Sequence, residues 1–290
     1  MFFDPGIIDA IRAALPGLGD FFLLVSGLGA ELFYVALLLI GYWTFNKRES
    51  IIMTYVMIIA VLSNYWIKYI IAHDRPPTSY WYEGAETPNY STPSGHSQYS
   101  ATFFGWLSVR IKKWWMFLIG ICMTVLIGVS RIYLGVHFLE DVLIGWGIGI
   151  LTVVGMYYLE KPAREYLSKY KFEHLLLCVF FIGLVMLVVA TILPAPPNDN
   201  FGSMGGLTMG LALGIALENR YVGFTVEVPM GQRWRLVLRV VIGLVLVVGM
   251  LFGLAPFLPT EEILLRAVRY FLITLVGVFI WPWIFKKVNL

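Results

Sequence analysis

Apolar residues in this chain neither alternate nor keep to one helical face; they run together in long blocks separated by short polar breaks. A helix needs roughly 20 such residues to cross the hydrocarbon of a bilayer. On that ruler nine blocks qualify as spans: 28–45, 51–71, 94–109, 114–133, 138–159, 175–193, 201–217, 236–257 and 265–285. The seventh is short and glycine-rich, with Gly202, Gly205, Gly206, Gly210 and Gly214. Residues 7–15 place apolar side chains at helical spacing and predict a helix lying along the membrane surface. The pattern predicts an all-α, polytopic transmembrane bundle. A six-helix core would lie within residues 1–193, with three C-terminal helices in 194–290 packed on it. The alternation over residues 221–229 hints at a short interfacial hairpin.

Composition agrees. Hydrophobic residues make up 59% of the chain and charged residues 13%, with a mean hydropathy of +0.78, whereas soluble domains carry about 25% charged residues. The first residues lack the basic start and small-residue cleavage site of a secretory signal, so all spans are expected to be retained. Cys122 and Cys178 fall inside apolar runs with no metal or disulfide spacing, which predicts two small core residues.

The basic residues set an orientation. Lys and Arg accumulate in cytoplasmic loops. With the N-terminus outside, 15 of the 21 basic residues fall on the inner side, among them Lys47, Arg110, Lys161, Arg235, Arg239 and Lys286. The outer side keeps Arg12, Lys68, Arg75, Arg131, Arg266 and Arg269, and the outer loop 194–200 has none. The C-terminus is then cytoplasmic. Trp43, Trp114, Trp115, Trp281 and Trp283 sit where an inner aromatic belt is expected.

Ionisable side chains at membrane depth are expensive and usually functional. Those without an inner-side explanation gather in three stretches: Lys68 with Arg75-Pro76; Pro93-Ser94-Gly95-His96; and Ser130-Arg131 followed by His137 and Asp141. Lys68 and Arg75 share one face if the helix continues, with Pro76 marking its end. Pro93 suits the first position of a helix whose free N–H groups would receive an anion. Gly95 removes a side chain that would hold a phosphate away from that backbone. Asp141 lies four residues after His137, within reach of one imidazole nitrogen, and leaves the other as a nucleophile. Gly145 and Gly149 extend the same stripe, as close helix packing requires. Three cations, a helix N-terminus and two histidines make a phosphoryl-transfer site without a metal or other cofactor. Lys68, Arg75 and Arg131 would hold the non-bridging oxygens. His137 would attack phosphorus, and His96 would protonate the leaving group and later activate water.

These three stretches resemble the signature of the type 2 phosphatidic acid phosphatase superfamily: Lys-x6-Arg-Pro, Pro-Ser-Gly-His and Ser-Arg-x5-His-x3-Asp. The superfamily includes lipid phosphate phosphatases, undecaprenyl diphosphate phosphatases, glucose-6-phosphatase and the vanadium haloperoxidases. The resemblance covers roughly the first 160 residues and implies the roles just given. It adds Ser94 and the Gly95 backbone as phosphate ligands, and inhibition by vanadate. Nine spans depart from the six of many bacterial members, and Glu83 and Glu86 would repel a second phosphate if they faced the site.

The leading expectation is a phosphatase of the cell membrane acting outside the cytoplasm on a phospholipid or polyprenyl (di)phosphate. Membrane lipids are its expected surroundings, and no nucleic-acid partner is expected. Other readings are a soluble sugar phosphate as substrate, phosphoryl transfer to a second lipid, and a non-enzymatic lipid binder or flippase. The last has no use for an oriented nucleophile. His73 and Asp74 lie close to the first stretch; His174 and Glu140 read as structural.

Overall fold

The computed structural model describes every residue except Met1, Phe2, Glu86, Pro88, residues 193–200 and Thr260, with the side chain of Phe201. In chain order its α-helices are α1 (Gly6–Ala14), α2 (Gly19–Gly27), α3 (Glu31–Thr44), α4 (Lys47–Ile71), α5 (Gly95–Ile111), α6 (Trp114–Tyr133), α7 (Leu139–Leu167), α8 (Phe172–Ile192), α9 (Phe201–Leu217), α10 (Trp234–Gly253), α11 (Ile263–Leu275) and α12 (Trp281–Lys287). No strand occurs among the described residues.

Each of the nine predicted blocks is helical over most of its length, and α1 forms where the spacing of residues 7–15 predicts a helix. Among the described residues, α4, α6, α7, α8, α10 and the run Ile263–Lys287, in which a π-turn joins α11 to α12, are long and apolar enough to cross a membrane, and α2 with α3, bent by 47°, would make a seventh span. The remaining two blocks, α5 and α9, have 17 residues each. In α5 the reason is chemical: Ser97, Gln98, Ser100 and Thr102 are buried, and Gln98 Nε2 donates to Ala60 O and Ser63 Oγ, both at 2.9 Å. This helix spends its polar groups on protein partners. Residue 193, loop 194–200 and Glu86 lie outside the described residues.

The chain forms two compact units, Met1–Val35 with Ile52–Lys161, and Ala36–Ile51 with Pro162–Leu290. In the first, glycines let helices approach backbone to backbone. A Cβ on Gly145 would lie 2.7 Å from Ser94 O, and one on Gly149 would lie 2.7 Å from Gln98 O, so this stripe seats α7 on α5. Gly128 does the same for α6 and α7, its Cβ position lying 2.3 Å from the Trp146 ring.

In the second unit α9 is held between α8 and α11. Gly205 meets Gly183 O at 2.8 Å from its Cβ position, and Gly206 meets Ala267 O at 2.0 Å. Two π-helical turns, Glu218–Val222 and Val276–Ile280, interrupt the regular ladder. The second presents Gly277 O to Trp43 Nε1 at 2.8 Å and Val278 O to Tyr42 Oη at 3.2 Å.

Three expectations are corrected here. Trp43 and Trp281 are buried rather than interfacial, each indole N–H donating to a carbonyl inside the second unit, while Trp114, Trp115 and Trp283 are exposed. Cys122 and Cys178 are exposed, not core; a helix that is apolar all round carries no sign of which face meets protein. The stretch expected to be a hairpin contains a π-turn and irregular chain, because side chains take its backbone groups. Phe224 N donates to Glu218 Oε1 at 3.0 Å, and Arg239 Nη1 donates to Thr225 O at 3.0 Å.

Candidate active site

All eight residues singled out from the sequence lie in the first unit. Lys68 stands in the last turn of α4, which ends at Ile71. Ala72 then turns with φ +48°, so Arg75 is reached by a loop and not by one continuous helical face. Lys68 is buried and its Nζ donates to Tyr90 O (2.5 Å) and Ser91 O (3.0 Å). An ammonium has three donors, so one is without an acceptor among the described residues and is open to a ligand.

Arg75 ties the loop together. Its Nε and Nη2 donate to Asn89 O (2.5 Å) and Oδ1 (2.7 Å), and Nη1 donates to Val136 O (2.7 Å). The same Nη1 lies 3.1 Å from His137 Nε2. Burial pushes the Arg75 pKa down to about 10, with the Asp141 charge opposing the shift, so the group stays charged at neutral pH.

His137 precedes α7, and Asp141 sits in that helix's first turn. Asp141 Oδ2 accepts from Phe138 N (2.8 Å), the return half of a capping box. The same oxygen lies 3.3 Å from His137 Nδ1 and accepts from Ser91 Oγ (2.5 Å), while Thr92 Oγ1 donates to Oδ1 (2.5 Å). One carboxylate therefore both caps the helix and orients the imidazole. The tautomer follows from the partners: a guanidinium has no acceptor, so the nitrogen facing Arg75 carries the lone pair and Nδ1 carries the proton. Burial, and then the charges of Arg75, Lys68 and Arg131, hold the His137 pKa well below its ordinary 6.5. The ring is neutral at neutral pH.

The turn before His137 is fixed from outside. Gly135 has φ +74°, and its Cβ position is 2.0 Å from Tyr80 O. Arg12 from α1 donates to Tyr133 O (2.8 Å) and Tyr80 O (2.6 Å), and Tyr82 N donates to Leu134 O (2.9 Å).

α5 opens at Gly95 with Ser94 as its cap residue, so Pro93 precedes the cap and is not the first helical position. The Ser94 side chain makes no capping bond, and its backbone N donates to Asp141 O (2.9 Å). The next N–H groups belong to the first turn, where a helix has no partners of its own. The space a Cβ on Gly95 would take lies 3.3 Å from Asn64 Oδ1 and the Tyr99 ring, so a polar layer beneath the helix start, not only a ligand above it, constrains this position. His96 packs against Gly29, whose Cβ position is 2.9 Å from its ring. It lies within Coulomb range of Arg131, His137, Arg75 and Lys68. Arg131, buried at 4% exposure, donates from Nη1 to Ser26 Oγ (2.5 Å), while its Nε has no acceptor among the described residues.

Sequence reading missed Ser91, Thr92, Asn89, Ser26 and Arg12, whose residue types at those positions carry no motif. His73 supplies a carbonyl to Ser91 N (2.8 Å), and its ring stacks on Phe3 at 4.0 Å. Glu83 is exposed.

What these groups can do together is bind an oxyanion among three cations beside a neutral, oriented imidazole. Residues 49–165 match the PAP2 superfamily, and residues 202–290 match the PAP2 superfamily phosphatase, transmembrane extension. An undecaprenyl-diphosphatase of Sulfolobus acidocaldarius is 37% identical over 147 residues, covering 47% of this chain and 66% of that protein, a little under two thirds. Phosphatidylglycerophosphatase B of Bacillus subtilis is 29% identical over 175 residues, covering 56% of this chain and 83% of that one. A crystal structure of a transmembrane PAP2-type phosphatidylglycerolphosphate phosphatase from Bacillus subtilis aligns with a TM-score of 0.46 and 26% identity, over 54% of this chain and 86% of that one. With the stretch from Lys68 to Asp141 inside the first matched segment and the extension matched separately, this integral membrane protein belongs to the PAP2 superfamily.

Proposed function

We propose that this protein removes a phosphate group from a membrane lipid, a monoester or a diphosphate, through a phosphohistidine on His137. The observation that carries the reading is the line Arg75–His137–Asp141, which leaves Nε2 with a lone pair and Nδ1–H on a carboxylate. Nε2 attacks phosphorus, the bond from phosphorus to the leaving oxygen breaks, and His96 gives that oxygen its proton. His96, now neutral, takes a proton from water, whose oxygen attacks phosphorus; the P–N bond breaks and inorganic phosphate leaves. Lys68, Arg75, Arg131 and the N–H groups opening α5 stabilise the equatorial oxygens. Vanadate, adopting five coordinates at the same place, inhibits.

The relatives named for undecaprenyl diphosphate and phosphatidylglycerophosphate support a lipid substrate. The inner-side excess of basic residues supports nine spans with the site outside the cytoplasm and the C-terminus inside. In that reading residues 1–193 are the catalytic membrane core and residues 194–290 additional C-terminal transmembrane helices.

The experiment is a phosphate-release panel in detergent over phosphatidic acid, phosphatidylglycerophosphate, undecaprenyl diphosphate and glucose 6-phosphate. Release from at least one lipid, absent in His137→Ala, is expected. Release from glucose 6-phosphate alone, or transfer of label to a second lipid without free phosphate, overturns the substrate or the reaction respectively.

A further inference from the structure

Glu31 opens α3 and takes no part in the chemistry above, yet an ionisable side chain at membrane depth calls for a function. Its carboxyl lies within hydrogen-bonding reach of the Tyr99 hydroxyl on α5. No ion pair joins it to a cation among the described residues. The break between α2 and α3 that presents Glu31 meets the site twice more. Ser26 accepts from Arg131, and Gly29 packs on the His96 ring.

Tyr99 leads from Glu31 to the turn that opens α5, and the partners fix the direction of each hydrogen bond on the way. Ala60 O can only accept, so the Gln98 atom 2.9 Å from it is Nε2, and Gln98 Oε1 faces Asn64. The Asn64 atom 2.9 Å from that oxygen and 3.3 Å from Pro93 O is then Nδ2. Asn64 Oδ1 is left facing the Tyr99 hydroxyl at 3.4 Å. That oxygen can only accept, so Tyr99 gives it its single hydrogen. The Tyr99 oxygen then meets Glu31 as an acceptor, and Glu31 supplies the proton. An ionised Glu31 would compete for the Tyr99 hydrogen and leave Asn64 Oδ1 unmet. Asn64, Gln98 and Tyr99 are all buried, where an unmet acceptor is costly. The line therefore runs one way, from a protonated Glu31 through Tyr99 and Asn64 to Pro93 O.

Its end lies beneath the oxyanion site. Pro93 stands two residues before Gly95, the first residue of α5. The Cβ position of Gly95 is 3.3 Å from both Asn64 Oδ1 and the Tyr99 ring. The side chains that carry the line are thus also the floor under the N–H groups that open α5.

We propose that Glu31, in its protonated form, is a positioning residue for the phosphate-binding turn of residues 93–96, acting through Tyr99 and Asn64. The role rests on that turn receiving the substrate phosphate, as proposed above; the proton on Glu31 does not.

Glu31→Gln keeps an N–H donor toward Tyr99, whereas Glu31→Ala and Tyr99→Phe break the line. In the full-length protein, phosphate release by Glu31→Gln from the lipid that the wild type hydrolyses is expected to stay near wild type. In Glu31→Ala and Tyr99→Phe, kcat is expected to fall about tenfold, as when a group supporting an active-site element is lost, with KM unchanged and vanadate inhibition weakened in step. The infrared difference spectrum of wild type minus Glu31→Gln at neutral pH is expected to show the C=O band of a protonated carboxyl. A carboxylate band in its place overturns the proposal. So does wild-type kcat in Glu31→Ala, or a Glu31→Gln variant that falls as far as Glu31→Ala. Should Glu31→Ala fail to fold, Tyr99→Phe and the infrared band decide. A wild type that releases no phosphate from any lipid overturns the reaction and this role with it; loss of the Glu31 effects alone overturns only the role.

Discussion

Arg75 Nη1 rests 3.1 Å from His137 Nε2, the nitrogen whose lone pair faces away from Asp141. The guanidinium thus marks the nucleophilic atom and also occupies its lone pair. An arriving phosphate offers Arg75 anionic oxygens, which are stronger acceptors than a neutral imidazole, and the contact to Nε2 is exchanged for one to substrate. Arg75→Lys keeps a charge but loses the fork that binds Asn89, Val136 and His137 together. Its kcat/KM is expected to fall about 10²-fold or more, measured by steady-state phosphate release; near wild-type values would refute a role for the fork.

Asp141→Asn is expected to lower kcat by about 10³-fold or more with KM little changed, since an amide no longer secures the Nδ1–H tautomer. Because Asp141 also accepts from Phe138 N, the melting temperature is measured alongside. A pure stability loss with normal kcat in the folded fraction would contradict the orienting role.

Ser91 Oγ is 2.5 Å from Asp141 Oδ2 and 3.3 Å from His137 Nδ1. Removing it leaves the carboxylate looser but still on the imidazole. Ser91→Ala is expected to cost about tenfold in kcat, as loss of a group supporting an active-site carboxylate does, with KM unchanged. An effect confined to KM would count against this placement.

The pH profile has a defined sign. His137 has a folded pKa held below 6.5 by burial and three cations, so it stays neutral and nucleophilic as pH falls past the value of a free imidazole. The acid limb of kcat/KM that belongs to His137 therefore lies below pH 6.5. The linked stability runs the same way. Between the two pKa values the unfolded chain binds the extra proton, so this contribution is full above about 6.5 and lost as pH falls through the folded pKa. A His137 limb above pH 7 would contradict the burial argument; its assignment is made by carbon-13 imidazole shifts in the free protein.

Gly135→Ala adds a Cβ 2.0 Å from Tyr80 O at φ +74°. Left-handed strain costs about 1 kcal/mol, and the backbone clash adds to it. A loss of at least about 2 kcal/mol, or displacement of the His137 turn with loss of activity, is expected in thermal unfolding and turnover. A stable, fully active variant would show that the turn is not held against Tyr80.

The helices were legible in the chain because lipid demands long apolar blocks, and α6 and α9 begin and end where those blocks do. The same uniformity concealed which face meets protein, hence Trp43, Trp281 and the two cysteines. In the site, Lys68, Arg75, His137 and Asp141 stood out because ionisable groups are rare at such depth. Ser91, Thr92 and Arg12 did not, because hydroxyls in a loop and a lone arginine on a surface helix gain their meaning only when distant chain segments meet. Arg75 illustrates the limit: its spacing from Lys68 suggested a shared helical face, yet a turn at Ala72 brings it in by a loop.

The most direct test is rapid quench of the protein with a phosphorus-32-labelled lipid substrate identified by the release panel, using His96→Ala to slow hydrolysis of the intermediate. An acid-labile, alkali-stable label is expected on the peptide carrying His137, absent in His137→Ala. Turnover with no covalent label at any time, or label on another residue, would contradict it.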